Sequence, residues 1–356
     1  MKNITILPVL VIIILSFSAI NPVFCQDNIQ ITGENEEFSV NHGQTTVYNN
    51  WKAESAVNSQ RRYGVTLGPQ FGFLNGKAIE LVYPIITKYK YLSELLWDIK
   101  FLYLGLNIDV GLNDIMSGKG FFSSLSFKAG FPGDSGIIED RDWMSVKNSG
   151  LTHYSRHTNK MHRFLQADLL LGASIPVSTF SLKPFVNLSW MNFSFSARDG
   201  YGTYARKLDE GVYLPITENP DKRDYTGRTV ITYEQNWLLL APGFSFGIIT
   251  NSPFSIDLSF QISPFTLCIA EDQHLGSPLR IFNDYTGLGL FFEGGGKVSF
   301  IWKFLELSLE FSYRYIGNTK KGVTYLTEYN ITTATSDTGG AGLSLMDTRF
   351  IFKVRL

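Results

Sequence analysis

The sequence predicts an all-β chain, a ten-stranded antiparallel transmembrane β-barrel with five extracellular loops. Three observations predict it. Apolar and polar residues alternate with period two over long stretches. The alternating segments are often 12 residues or more, whereas strands of soluble proteins average about 5–6. Short turns alternate with long polar connections, the asymmetry of outer-membrane barrels.

The strands can be read in order. Ten segments alternate, near 62–83, 97–110, 120–143, 162–177, 180–201, 228–249, 254–272, 286–302, 305–326 and 340–356. The clearest are Phe254 to Ile262, where Phe, Ile, Leu, Phe and Ile alternate with Ser, Asp, Ser and Gln, and Leu305 to Tyr313, where the intervening residues are Glu306, Ser308, Glu310 and Ser312. An even count suits a single-chain bacterial barrel. The short turns include Asn251-Ser252-Pro253 and Lys303-Phe304, and the long loops fall near 84–96, 144–161, 202–227, 273–285 and 327–339. The polar faces carry Asp168, Lys183, Glu293, Lys297, Glu306, Glu310, Arg314 and Arg349 into the interior. Both signs are present, so the expectation is a packed, ion-paired interior rather than an open pore.

Composition narrows the class. Charged residues make up 18% of the chain and aromatics 14%, which excludes a disordered chain. A net charge of −1 argues against a partner held by its phosphates, so no nucleic acid is expected. Two cysteines, Cys25 and Cys268, exclude a disulfide scaffold and a cysteine-based zinc site. Lys2, the apolar run from Ile4 to Ile20 and the break at Asn21-Pro22 read as a signal peptide over 1–25, cleaved after Cys25. Residues 26–60 are polar and without period, a flexible extension ahead of a barrel over 61–356. No later segment is apolar over the ~20 residues a membrane helix needs, so crossing must be by strands.

Two acidic clusters end strands, Glu139-Asp140-Arg141-Asp142 and Glu271-Asp272-Gln273-His274. Residues i and i+2 of a strand share a face. Asp140 therefore points with Asp142, and Asp272 with His274. Carboxylates and an imidazole facing each other across a barrel mouth can polarise a water; solvated loop charges are the ordinary alternative.

Asp140-Arg141-Asp142-Trp143-Met144, Ser155-Arg156-His157, Phe193-Ser194-Phe195-Ser196-Ala197-Arg198, Asp272-Gln273-His274, Asn318-Thr319-Lys320-Lys321-Gly322 and Gly340-Ala341-Gly342 resemble, in order and spacing, the omptins. These are outer-membrane endopeptidases of Gram-negative bacteria, ten-stranded barrels with an active site in an extracellular groove. The resemblance covers residues 62–356. It implies that Asp140 and Asp142 are the aspartate pair and that Asp272 and His274 are the Asp-His dyad. It implies a water between pair and dyad as nucleophile, His274 as general base and Asp272 as its orienter. Ser155 and His157 match a pair of the family to which we assign a structural role near the substrate.

The resemblance also implies polypeptide substrates cut near Lys or Arg, an outer-membrane lipid as a partner, and neither metal nor other cofactor. Glu80 matches the acid at the base of the pocket for the basic side chain before the cut. Its acidic companion is replaced by Ala270, and the acid serving the pocket after the cut by His153. Loss of negative charge predicts a weakened basic preference. The residues that clamp lipopolysaccharide phosphates in the family are poorly matched. The alternative function is an omptin-like barrel with little or no catalysis, serving as an adhesin or binding protein; a small channel is a third reading.

Parity makes one further expectation. Phe254 through Ile262 face lipid at even positions, yet Asp272 and His274, also even, must face the groove. A one-residue bulge between 263 and 271, near Pro264 or just before Asp272, would reverse the phase. The third strand needs none, because Leu125, Phe127 and Ala129 are odd and outward, so an unbroken phase to Asp142 is expected.

Overall fold

The computed structural model describes residues 63–84, 92–114, 119–147, 149–177, 180–248 and 253–356. The expected signal peptide 1–25, the extension 26–60, most of the first loop and Asn251-Ser252 lie outside the described residues.

Ten strands close into one ring. They are β1 (Tyr63–Val82), β2 (Ser93–Asp114), β3 (Lys119–Gly130 and Gly133–Asp142), β4 (His153–Val177) and β5 (Phe180–Tyr204). Then come β6 (Thr229–Ile248), β7 (Phe254–Ser263 and Thr266–His274), β8 (Arg280–Gly287 and Phe291–Trp302), β9 (Leu305–Ile316 and Lys321–Glu328) and β10 (Gly339–Arg355). Each pairs antiparallel with the next, and β10 closes onto β1 from Thr66↔Arg355 to Val82↔Gly339. Ile331–Ser336 extends the sheet beside upper β9, and Asp221–Asp224 beside the end of β5. Closure leaves the ring itself no unpaired edge, which a barrel in lipid requires.

A crossing strand needs about 9–11 residues, and β4 and β5 have 25 each. The excess forms an upper barrel above the lipid, and the pattern inverts there. On β6 the outward Leu238, Leu240, Phe244, Phe246 and Ile248 are exposed, while the outward positions above them are Asn236, Glu234 and Thr232. The inward residues Tyr233, Gln235 and Trp237 are buried. The outward face turns polar at the same level elsewhere, above Phe73 on β1, Leu102 on β2, Leu165 on β4 and Ile269 on β7. The lower barrel is thus polar inside and apolar outside, and the upper barrel the reverse.

This inversion corrects the loop boundaries. Residues 153–161 belong to β4 and 280–285 to β8, and 331–336 is a strand; all three were expected within loops. Their outward faces meet water and carry no apolar stripe, so the period-two signal fades at the lipid edge.

The lower interior holds the expected charges in pairs. Arg314 meets Glu293 at 2.5 Å and Asp168 at 3.6 Å, Lys183 meets Asp257 at 2.6 Å, and Lys297 lies 3.8 Å from Glu306. Arg349 meets Glu310, and Lys128 meets Asp347 at 2.7 Å. These groups line a cavity of about 550 Å³. Above it Trp97 stacks between Tyr233 and Phe195, with centroids 5.3 and 5.8 Å away.

The bulge in β7 is present. Between the pairs Gly243↔Gln261 and Leu239↔Thr266, β6 advances four residues and β7 five. The extra residue lies at Pro264-Phe265, where no ladder donor is available from the proline. Ser263 and Thr266 are both buried while Phe265 is exposed. From Thr266 upward the even residues face inward.

The unbroken phase expected for β3 is overturned. Lys128 faces in, but so does Ser135, and Ile138 faces in again. One break falls at Phe131-Pro132, beside a bulge of β4 between Met161 and Arg163. The other is a bulge between Asp134 and Ile137, at Gly136 with φ +103°. Two reversals cancel, so Asp140 and Asp142 face in as their parity implied.

Candidate active site

The two acidic clusters meet across the upper barrel. On β3, Asp140 is paired in register with Leu95 of β2 and Ser155 of β4, and Asp142 with Ser93 and His153. On β7, Asp272 is paired with Tyr233 of β6 and Phe282 of β8, and His274 with Ile231 and Arg280. β3 and β7 stand on facing walls, and the aromatic layer of Trp97, Tyr233 and Phe195 closes the floor.

The dyad is made. His274 Nε2 lies 2.6 Å from Asp272 Oδ2. The carboxylate side chain is 2% exposed and the imidazole 41%, so the acid is fixed below and the ring reaches the groove. With Nε2 tied to Asp272, Nδ1 is the free nitrogen. Burial alone would disfavour the imidazolium, but Asp272, with Asp140 and Asp142, outweighs it and lifts the His274 pKa to about 9. The Asp140 carboxyl is held well above the usual carboxylate range by burial and then by Asp142, although His274 acts the other way. Burial also raises Asp142, against Ser93 and the two histidines, His153 and His274. The charge on each of these groups therefore acts on the protonation of the others.

Ser155 and His157 are brought together, but beneath the surface. Ser155 Oγ lies 3.0 Å from His157 Nε2 and 3.5 Å from Asp140 Oδ2. His157 Nδ1 donates to the Asp199 carbonyl at 2.5 Å, leaving Nε2 to accept from Ser155. Burial lowers the His157 pKa and keeps the ring neutral. Both side chains are nearly fully buried. His153 packs against the rings of Tyr204 and Tyr213, with Nδ1 4.0 Å from Asp142 Oδ2.

Glu80 lies on the lumen side of β1, 3% exposed, and its Oε2 has no hydrogen-bond partner. Ala270 faces inward on β7. Directly across the β7–β8 ladder from it stands Asp284, buried, accepting a hydrogen bond from Thr324 Oγ1 of β9 at 2.5 Å. Sequence reasoning missed Asp284 because it sits where a loop was expected. Only the register of β7 with β8 brings it to the lumen beside position 270. Cys268, the free cysteine, is buried two residues below Ala270, a small apolar filler as expected.

The comparisons with known proteins bear on this geometry. The profile of the Omptin family matches residues 61–351. The chain belongs to the Omptin family. The fold is similar to that of the outer membrane protease OmpT from Escherichia coli, with a TM-score of 0.71 at 17% identity, covering 82% of this chain and 97% of that one. The translocator domain of the autotransporter NalP from Neisseria meningitidis aligns over 86% of this chain and 94% of its own at 8% identity, with a TM-score of 0.30. A search of curated protein sequences finds no match. Family and fold together make this omptin an outer-membrane protease of the Gram-negative type.

Proposed function

We propose that this omptin hydrolyses polypeptides outside the cell by a water held between Asp140 and His274. The observation that carries the reading is the His274–Asp272 contact at 2.6 Å, with Asp140 close enough that it and His274 each act electrostatically on the other's proton. One proton is shared between Asp140 and His274. In the reactive arrangement it sits on Asp140, beside the substrate carbonyl, and His274 is neutral. The water oxygen attacks the carbonyl carbon, its proton passes to His274 Nδ1, and the carbonyl oxygen takes the Asp140 proton. The imidazolium then protonates the leaving amine as the C–N bond breaks, and the Asp140 carboxyl recovers its proton as the carbonyl reforms. Asp272 holds the ring and favours the cation. Asp142 keeps the Asp140 proton on. No metal or other cofactor enters this scheme; an outer-membrane lipid would act as a structural partner.

The Ser155–His157 pair supports a nucleophilic serine less well. Its histidine is oriented by a carbonyl rather than a carboxylate, and both side chains lie beneath the groove surface.

Cleavage of a peptide library by the refolded full-length barrel tests the reading, with basic residues expected before the cut. The pH dependence is a sharper check. The shared proton is lost as pH rises through about 9, where His274 titrates, so kcat/KM falls above that pH. Asp272→Asn removes the charge that favours the imidazolium. The alkaline limb then moves to lower pH, and so does the His274 titration followed by NMR. A limb that stays in place in that variant would show that His274 does not carry the proton.

A further inference from the structure

We propose that Asp284 is a specificity-determining residue, the second carboxyl of the pocket that takes a basic side chain, entering from β8 where β7 offers only Ala270. The inference rests on reading the groove as an active site and adds a residue to it.

The argument begins with charge. In the lower barrel the buried Asp347 and the half-buried Glu310 and Glu293 each have a Lys or Arg partner. Glu80 and Asp284 have none among the described residues. The charges acting most strongly on Glu80 are Asp272, Asp284 and Asp140, all carboxyls. On Asp284 the charge is Asp272, and the hydroxyl of Thr324 is its one hydrogen-bonding support. The neutral Tyr233 hydroxyl and the Cys268 thiol face the same space. Buried carboxyls are ordinarily paired, and Glu80 Oε2 is buried without a partner. The site is built for a cation that the described residues do not supply.

The backbone is shaped for it. Asp284 lies against bare β10: a Cβ on Gly339 would stand 2.1 Å from its Oδ1. Two residues further along β10, Ala341 is the register partner of Glu80. The two carboxyls thus flank one stretch of small residues from opposite sides. The methyl of Ala270 leaves the space that an aspartate there would fill. No group of three or more His, Cys, Asp or Glu among the described residues has the arrangement of a metal site. The fitting cation is a guanidinium or ammonium on an apolar stem. The stem can pack on Tyr233 and Ala270, and a guanidinium can bridge two carboxyls. The preference for Arg and Lys, expected from the sequence to weaken but survive, is then kept strong despite Ala270.

Burial, with Asp272 adding to it and Thr324 opposing it, raises the Asp284 pKa to about 6. Burial and the neighbouring carboxyls raise Glu80 as well. The pocket binds a cation as these groups lose their protons, so affinity rises with pH through about 6.

The test measures binding and cleavage separately on the refolded full-length chain. N-acetyl-arginine amide is titrated calorimetrically from pH 5 to 7.5, and matched peptides with Arg or Gln before the cut give a selectivity ratio. Asp284→Asn should weaken arginine amide binding and the Arg/Gln ratio by about tenfold or more and flatten the rise near pH 6. Cleavage of the Gln peptide is the reference against which the loss is read. Ala270→Asp added to Asp284→Asn should restore both, which a merely structural Asp284 would not allow. An Arg/Gln ratio and arginine amide affinity unchanged by Asp284→Asn would overturn the assignment, as would failure of the Ala270→Asp rescue in a variant that folds. Asp284-dependent binding without any cleavage would leave the assignment standing and overturn the hydrolytic reading instead. Cleavage that needs Asp140 and His274 but ignores Asp284 would do the reverse.

Discussion

His274→Ala and Asp140→Asn should each lower kcat/KM for peptide cleavage by about 100- to 10,000-fold, the range of a positioned acid or base. The two losses should not add, because both groups serve one water and share one proton. The double variant is expected to be no slower than the worse single one by more than about tenfold. Folding should survive, since both residues lie above the apolar belt and neither fills the aromatic layer of Trp97, Tyr233 and Phe195. Retention of the compact form on an unheated gel checks that. Ser155→Ala should cost less than about tenfold, because His157 and Asp140 keep their places without the hydroxyl. Abolition of activity by Ser155→Ala alone, with His274→Ala active, would transfer the chemistry to the buried pair.

How far the sequence could be read follows from where lipid stops. In the belt, apolar residues outside and polar residues inside give strict alternation, and all ten strands were legible there. Above the belt the outward face of β4 runs through Arg156, Thr158 and Lys160, and the inward face buries Met161, Asn159 and His157. That stretch resembles a loop in composition although its backbone is paired with both neighbouring strands, with a bulge between Arg156 and Thr158. The parity of Asp272 against Ile262 was a conflict within one strand, and it confined the bulge to 263–271; the register then chose Pro264-Phe265 over the stretch before Asp272. In β3 two reversals cancel, so parity raised no conflict and neither break could be found by it. Gly136 was the available signal, a glycine within a strand. Asp284 needed more than its own strand: its place beside Ala270 depends on cross-strand register, which no local pattern encodes.

The lower barrel yields the largest expected effect on stability. Lys128 and Asp347 meet at 2.7 Å with side chains 4% and 8% exposed. Tyr103 donates a hydrogen bond to Asp347 Oδ1 at 2.7 Å, and Arg349 lies 3.6 Å from Oδ2. Asp347→Leu removes the acceptor shared by Lys128 and Tyr103 and a carboxylate beside Arg349. It leaves the Lys128 ammonium buried without its ion-pair partner and should cost about 3–5 kcal/mol in unfolding free energy. The measurement is urea unfolding of the barrel in detergent, followed by tryptophan fluorescence. Adding Lys128→Met should recover most of that cost, because a buried pair replaced by apolar groups is often nearly neutral. Recovery should stop short by about 1–3 kcal/mol, the cost of the stranded Tyr103 hydroxyl, and Tyr103→Phe should return that remainder. By contrast, Asp221→Ala breaks an exposed pair with Arg223, 59% and 56% exposed, and should change stability by about 0–1 kcal/mol. If Asp347→Leu were as mild as Asp221→Ala, water in the cavity would be solvating Lys128. The interior would then be a wet lumen rather than an ion-paired core, and the pairing of Arg314 and Arg349 would have to be reread in the same way.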